Sequence, residues 1–556
     1  MHAQRRAFVE ELEDFTFQQL DAATGDLSDL VAKTVYQERI RIKEEPWRID
    51  PPNERQFWNK IRKKLAKKGL DGNEADTRET NVQLLQRIIK RYSEEIVGTF
   101  NKKTFLFARK FLTFFFNRMF NTAADRRMFS SIRGSSKEKM LERFKTVGYV
   151  EMVRDLAKRG TVVLVPTHSS NLDSLLISYA LDKKVGVPMF IYGAGLNLYN
   201  TGYTAYFLNR LGPYRVDRRK KNGVYLATLK NASQLALEYG THSIFYPGGT
   251  RSRSGELERH LKMGLLGTAV SAQRANYERD KDQKIFIVPL ILSYHVVLEA
   301  KPLIEQHLQR TGQEQYIKKR EGYGLRKLLR FAWKFFREGS EITLSFGKPM
   351  DVLGNFVDAE GLSYDRWKKP VEVRDYFLKN KEINLDLQRE REYTKMLADR
   401  IVTRYYKENV VLSSHLIAYC AFNLLRQSYL DLDLYGLLRL PPEDFIFDWE
   451  ELRELVRQVR ETLFSMDERG DIKLSPQIHW ELDELMRDGI RNVGVFHLKK
   501  PLSFSRSGAL MSEDFKILFF YHNRLENYGL LKSVDWKKVL PDVQRSRVRN
   551  LELTGA

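Results

Sequence analysis

Residues 161–173 read TVVLVPTHSSNLD: an apolar β-type run, then Thr167 and His168, with Asp173 five positions beyond the histidine. The run reads as a strand ending at Thr167, with a helix beginning near Asp173. Working outward, the runs MFIYGA (189–194), SIFYP (243–247), KIFIVPLILSY (284–294) and EITLSFG (341–347) share its character. The stretches 223–240 and 261–278 between them have helical composition. Strands alternating with helices predict an α/β fold built on a central, largely parallel sheet. Residues 1–125 show helical spacing with few glycines and a polar break at 71–80, and beyond 375 charged, helix-periodic segments replace the strands. The predicted organisation is therefore a helical region at 1–125, an α/β domain at 126–375 and a helical region at 376–556, with no repeat and no low-complexity tract.

At 556 residues and 42% hydrophobic composition the chain can bury a large core divided over two or three domains. Its net charge of +21 points to anionic partners: phosphate-bearing substrates, nucleic acid or an anionic lipid surface. One cysteine, Cys420, excludes an internal disulfide framework and any cysteine-cluster metal site, and fits a reducing, cytosol-facing location. The opening MHAQRRAFVEELEDF carries acids where a signal peptide needs an apolar run, so export is not expected.

No stretch offers the roughly 20 apolar residues of a spanning helix. Val185–Asn209 is uncharged but broken by Pro188 and several glycines, and Asn409–Leu425 reads as a buried helix. A peripheral contact is a separate matter. Residues 104–120, TFLFARKFLTFFFNRMF, interleave seven phenylalanines with Arg109, Lys110 and Arg118, as an interfacial helix does. Segment 324–338, GLRKLLRFAWKFFRE, has the same character, and in both cases a helix packed on the main domain is the alternative. Residues 101–150 carry 12 basic and 3 acidic residues, whereas 441–490 carry 6 and 14, so the charge is polarised. The expected location is peripheral, on the cytoplasmic face of a membrane. No zinc-finger spacing and no RNA-recognition signature accompanies the positive charge, which argues against nucleic acid.

Ligands of an open α/β sheet bind off the C-terminal ends of its strands, and four such ends carry unusual residues. His168 with Asp173 is a general base with a carboxylate to fix its tautomer, or else a helix-capping aspartate beside a bystander histidine. LGPYRVDRRKKNG (211–223) brings five cations, Arg215, Arg218, Arg219, Lys220 and Lys221, after a Gly212–Pro213 turn; it is an anion site or a solvated face. FYPGGTRSRSGEL (245–257) leads a strand into a glycine turn with Arg251 and Arg253, a candidate anion site to which Lys262 adds a cation. In IVPLILSYH, Pro289 breaks an apolar strand.

In this order the four segments resemble the sequence blocks of the glycerolipid acyltransferase superfamily. His168 and Asp173 match its His-x4-Asp block; Gly212, Val216 and Arg218 match the second; Gly249, Thr250 and Arg251 the third; Val288 and Pro289 the fourth. Within the superfamily the chain is most similar to the glycerol-3-phosphate 1-O-acyltransferases, through GTRSRSG at 249–255, Lys262 before Gly264-Leu265-Leu266, PLILSYHVVLE at 289–299 and, more weakly, FFYHNRLENYGL at 519–530. The resemblance implies transfer of a fatty acyl group from acyl-CoA or acyl-carrier protein to the sn-1 hydroxyl of glycerol 3-phosphate. His168 and Asp173 would be catalytic, Arg218, Arg251, Arg253 and Lys262 would hold the phosphate, and backbone groups of the turn Gly248, Gly249 and Thr250 would supply an oxyanion donor. Gly212 and Pro289 are structural, and no metal or cofactor is expected. Two departures stand out. Gly248 occupies the place of the family's usual glutamate, and Asp217 is more reminiscent of lysophosphatidate acyltransferases. Acylation of lysophosphatidate or dihydroxyacetone phosphate is therefore the alternative within the class, and an inactive membrane-binding scaffold the alternative outside it.

Overall fold

The computed structural model describes residues 2–68, 74–125, 144–187, 190–200, 202–312, 341–493 and 496–540. The second aromatic segment, at 324–338, lies outside them, as does the expected boundary at 126.

Five helices open the chain: α1 (His2–Ala23), α2 (Leu27–Glu44), α3 (Glu54–Lys68), α4 (Glu74–Ile96) and α5 (Lys102–Asp125). The α/β part follows as β1 (Phe144–Gly148), α6 (Val150–Arg159), β2 (Thr161–Pro166), α7 (Asp173–Ala180), β3 (Ile191–Gly195) and β4 (Tyr214–Val216). It continues through α8 (Gly223–Glu238), β5 (Ser243–Ile244), α9 (Met263–Glu278), β6 (Ile285–Tyr294), α10 (Ala300–Arg310) and β7 (Ile342–Phe346). The principal later helices are α11 (Leu387–Lys407), α12 (Ser413–Ser428), α13 (Trp449–Glu468), α14 (Leu482–Asn492) and α15 (Phe515–His522), with two-residue strands between some of them.

One seven-stranded sheet has the order β1-β7-β6-β2-β5-β3-β4. The five strands β6, β2, β5, β3 and β4 are mutually parallel, while β7 pairs antiparallel with β6 and carries β1 parallel to itself. The expected largely parallel sheet is present, with its β1–β7 edge reversed.

Both faces of the sheet are covered, and the strand sequences show why. Successive side chains of a strand point to opposite faces. Along β2, Val162 and Leu164 join one apolar cluster while Val163 and Val165 join the other; along β6, Phe286, Val288, Leu290 and Leu292 alternate with Ile285, Ile287 and Ile291 in the same way. The first cluster runs on into α12, α13 and α15 through Tyr419, Phe422, Leu455 and Phe519, and the second is roofed by α9 and α11. A third cluster packs the N-terminal helices on Val224, Tyr225 and Leu229 of α8. Pro289 does not break its strand: β6 runs ten residues without interruption, in register with β2 at Val165, and the Pro289 carbonyl accepts the Gly347 N–H at 2.8 Å. Pro289 lies just beyond the last β6–β7 residue pair, Leu290–Phe346, so the N–H it lacks falls outside that ladder.

The layer beneath the end of β6 holds neutral histidines. His295 is 1% exposed and bonds the Ser414 hydroxyl at 2.9 Å, while the His415 ring lies 3.0 Å from the Tyr294 carbonyl. Burial pushes the pKa of His295 down to about 4 and that of His415 well below the usual range. The unfolded chain takes up these protons first as pH falls below about 6.5, so stability drops toward acid, by about 2 kcal/mol per histidine between pH 7 and 5. Urea unfolding across that range should show the decline. The slope of His295→Gln should be smaller by one histidine's share, and an unchanged slope would contradict the burial argument.

Candidate active site

The loops leaving β6, β2, β5 and β4 emerge at one edge of the sheet, where open α/β sheets hold ligands. At the end of β2 the Thr167 N–H donates to the Leu290 carbonyl at 2.9 Å. The next residue is held on both sides of its main chain: the His168 N–H donates to Glu258 Oε1 at 3.0 Å, and its carbonyl accepts the Ser252 N–H at 2.7 Å. The His168 ring stacks on Tyr246, centroids 4.1 Å apart, and its Nδ1 lies 2.8 Å from Asp173 Oδ2. An ionised carboxylate only accepts, so Nδ1 carries the proton and the lone pair of Nε2 is free to receive one.

Asp173 is completely buried at the first turn of α7. Its Oδ2 also accepts the Ser169 and Ser170 N–H groups at 2.8 and 3.0 Å, and its Oδ1 takes the hydroxyl of Tyr294. The capping alternative does not hold, since Leu172 is the N-cap and no side chain caps the helix; instead the aspartate ties down the turn that precedes its helix and faces the histidine with the same oxygen. Glu299, just past β6, accepts the Ser170 hydroxyl at 3.0 Å and the Asn171 N–H at 3.2 Å, and meets Arg251 at 3.2 Å.

Around this pair the phosphate-binding candidates gather. Burial lowers the pKa of Arg218, with Arg251 adding to the shift; burial lowers that of Arg253 too, with Arg310, Arg251 and Arg218 contributing. The three guanidinium groups therefore lie within one another's field. Lys262 lies across the glycine turn. Gly249 has φ +76, and a Cβ there would fall 2.7 Å from the lysine Nζ, so a bare backbone is what admits the ammonium. Among the described residues Arg218, Arg253 and Lys262 form no ion pair, Arg251 Nη1 has Glu299 Oε1 as its ion-pair partner, and the Tyr246 hydroxyl is buried without a hydrogen-bond partner. Of the turn, the Gly249 N–H is spent on the Tyr246 carbonyl at 2.9 Å, which leaves the N–H groups of Gly248 and Thr250.

The basic turn as a whole does not serve this rim. Arg219 is buried between Asp217 and Asp50 and stacks on Trp47 at 4.1 Å, Lys220 is paired with Glu95, and Arg215 donates to Asn209 at 2.7 Å. Arg219 and Lys220 lock the N-terminal helices to the sheet, whereas Arg218 lies within the field of Arg251. Asp217 is accounted for in the same way, as the partner of Arg219. Gly212, at φ +84, makes the turn into β4.

A cavity of about 540 Å³ opens behind α7. It is lined mainly by apolar side chains, among them Phe8, Phe105, Leu112, Leu175, Tyr179 and Tyr192, from α1, α5, α7 and β3. On the outside of α5, Leu106, Phe107, Phe111 and Phe114 are 41%, 58%, 44% and 65% exposed. Among the described residues no helix is long and apolar enough to cross a membrane.

Sheet, rim and cation cluster together define an α/β domain of acyltransferase type, and residues 147–293 match the family model described as Acyltransferase. The matched stretch holds the four segments whose motifs resemble the glycerolipid acyltransferase superfamily. The chain is 25% identical over 299 residues to a glycerol-3-phosphate acyltransferase of Pseudomonas aeruginosa, covering 54% of this chain and 31% of that protein. Proteins of the same name match at 27% over 203 residues in Alteromonas mediterranea and at 28% over 222 residues in Pseudoalteromonas atlantica, covering 24% of each. The match thus spans less than a third of these relatives' length.

Sequence reasoning missed Glu258, Tyr294, Glu299 and Tyr246. Tyr294 and Glu299 lie inside the quoted 289–299 segment, and Tyr294 could have been found as a polar residue at a strand end. Glu258 carries no such local sign. Asp173→Ala should strand the Ser169, Ser170 and Tyr294 donors in the interior and cost roughly 3 kcal/mol or more of stability. His168→Ala, which loses one bond and one ring stack, should cost only about 1 kcal/mol. Denaturant unfolding of both variants checks the contrast.

Proposed function

We propose that this chain transfers a fatty acyl group from an acyl thioester to the sn-1 hydroxyl of glycerol 3-phosphate. The observation that carries the reading is the cluster of Arg218, Arg251 and Arg253, tied through Arg251 and Glu299 to the turn between the carboxylate-held His168 and Asp173. A phosphate between those cations anchors one end of a small polyol and presents a hydroxyl to the imidazole, so that binding energy becomes orientation. His168 accepts the hydroxyl proton at Nε2 as the oxygen attacks the thioester carbonyl, and Asp173 stabilises the imidazolium that forms. The proton then passes to the departing thiolate. No acyl-enzyme is required. Cys420 is buried, and burial holds its thiol pKa well above the usual value.

The apolar cavity behind Ser174 and Leu175 supports an acyl-chain site, its size falling within the roughly 300–1,000 Å³ of ligand pockets. The exposed phenylalanines of α5, with Lys102, Lys103 and Lys110 among them, support peripheral attachment to an anionic bilayer. The names of the relatives favour glycerol 3-phosphate over lysophosphatidate or dihydroxyacetone phosphate as acceptor.

Purified protein with liposomes should acylate glycerol 3-phosphate from a long-chain acyl thioester, and His168→Ala should abolish turnover. Preference for lysophosphatidate or dihydroxyacetone phosphate would reassign the acceptor, and silence with all three, from folded and liposome-bound protein, would favour the inactive scaffold. Arg218→Ala and Arg253→Ala should each raise the acceptor KM about tenfold or more, since a hydrogen bond to a charged group contributes roughly 1.5–3 kcal/mol. The thioester KM should stay put; if it alone moves, the arginines serve the donor.

A further inference from the structure

Gly248 has no side chain, and the space it leaves is filled from elsewhere. A Cβ at this position would lie 3.0 Å from Cγ and 3.2 Å from Oε1 of Glu258. That same Oε1 accepts the His168 N–H at 3.0 Å. Glu258 forms no ion pair among the described residues, although the rim around it is cationic. It is therefore a carboxylate neither used to neutralise a neighbour nor turned to solvent, but bonded to the main chain of the residue whose imidazole faces Asp173.

The loop that brings it there is anchored at several points. The Ser252 N–H bonds the His168 carbonyl, the Asn523 side chain donates to the Ser254 carbonyl at 2.9 Å, and Leu257 is buried. Gly255, at φ +91, lies so near the Phe520 carbonyl that a Cβ would come within 2.1 Å of its oxygen. After Leu257 the chain returns toward the glycine turn, where the Lys262 N–H bonds the Pro247 carbonyl at 2.7 Å.

We propose that Glu258 is a positioning residue for the acyl transfer: its carboxylate, folded into the hollow at Gly248, fixes the His168 main chain and so aims the imidazole. The carboxylate that the family resemblance places at position 248 is thus supplied from position 258. This role rests on the proposed reaction, but its geometric part does not.

The test uses the full chain and four variants. Glu258→Ala should lower kcat at least tenfold with both substrate KM values within about twofold, because Glu258 holds His168 and not a substrate. Glu258→Gln should retain most of kcat, since its amide oxygen still accepts the His168 N–H. Gly248→Glu alone should be impaired, as its new side chain meets Glu258, whereas Gly248→Glu combined with Glu258→Ala should recover activity to within a few-fold of the parent. A Glu258→Ala enzyme as fast as the parent overturns the proposal. So does a double variant no better than Glu258→Ala. The second readout needs no turnover: the hydrogen-bonded Nδ1–H proton resonance of His168, identified by its loss in His168→Ala, should vanish or shift in Glu258→Ala and persist in Glu258→Gln and the double variant. If the parent chain acylates nothing, the reaction is wrong, and this resonance still decides the positioning role. An unchanged resonance in Glu258→Ala refutes it.

Discussion

The site depends on one buried carboxylate. Asp173 collects donors from His168, Ser169, Ser170 and Tyr294, and so ties the turn after β2 to the end of β6. A buried charge survives only where its lone pairs are met, and here the partners that meet them are the turn that carries the histidine. The order of the loop is thus enforced by the cost of desolvating the aspartate. Glu299 repeats the device one step further out, joining Ser170 and Asn171 to Arg251. Two carboxylates thus organise the turn between β2 and α7, and a third, Glu258, holds the His168 main chain.

Neighbouring cations in one short segment have opposite fates. Arg219 and Lys220 are consumed by Asp50, Asp217 and Glu95, and with Asn222, Tyr92 and Glu38 they form a buried polar seam between the N-terminal helices and α8. Arg218, one residue earlier, has no such partner and faces Arg251. Arg218 and Arg219 are the middle residues of a turn closed by the Lys220 N–H on the Asp217 carbonyl at 3.2 Å, so the run of cations leaving β4 divides between structure and site where the chain reverses. Composition records the charges and says nothing of this division.

That division marks how far the sequence could be read. The strands were legible because each is an apolar run closed by a polar turn, and the His168–Asp173 spacing was legible because both groups lie in a single turn. The phosphate-binding arginines were partly legible, through the glycines that flank them. What escaped depends on distance along the chain: Tyr294 meets Asp173 from 121 residues away, and Glu258 meets His168 from 90. The reversed β1–β7 edge escaped for a related reason, since an apolar run has no direction until its neighbours are known. Gly248 reads as a defect when the glycine turn is considered alone. Its meaning lies in the side chain that occupies the vacated space.

The anchoring of the 252–262 loop by the segment after α15 has a consequence in time. Asn523 and Asn527 reach Ser254, Glu256 and Arg259, and Arg524 donates to the Leu292 carbonyl at 2.9 Å. At a synthesis rate of roughly 5–20 residues per second, the ribosome adds these residues about 15–55 s after the loop they secure. During that interval His168 and Asp173, five residues apart, have both been made while the glutamate loop lacks its far support. A nascent chain therefore carries its chemical groups long before it can hold them in register, and completion of the C-terminal helices is what ends that state.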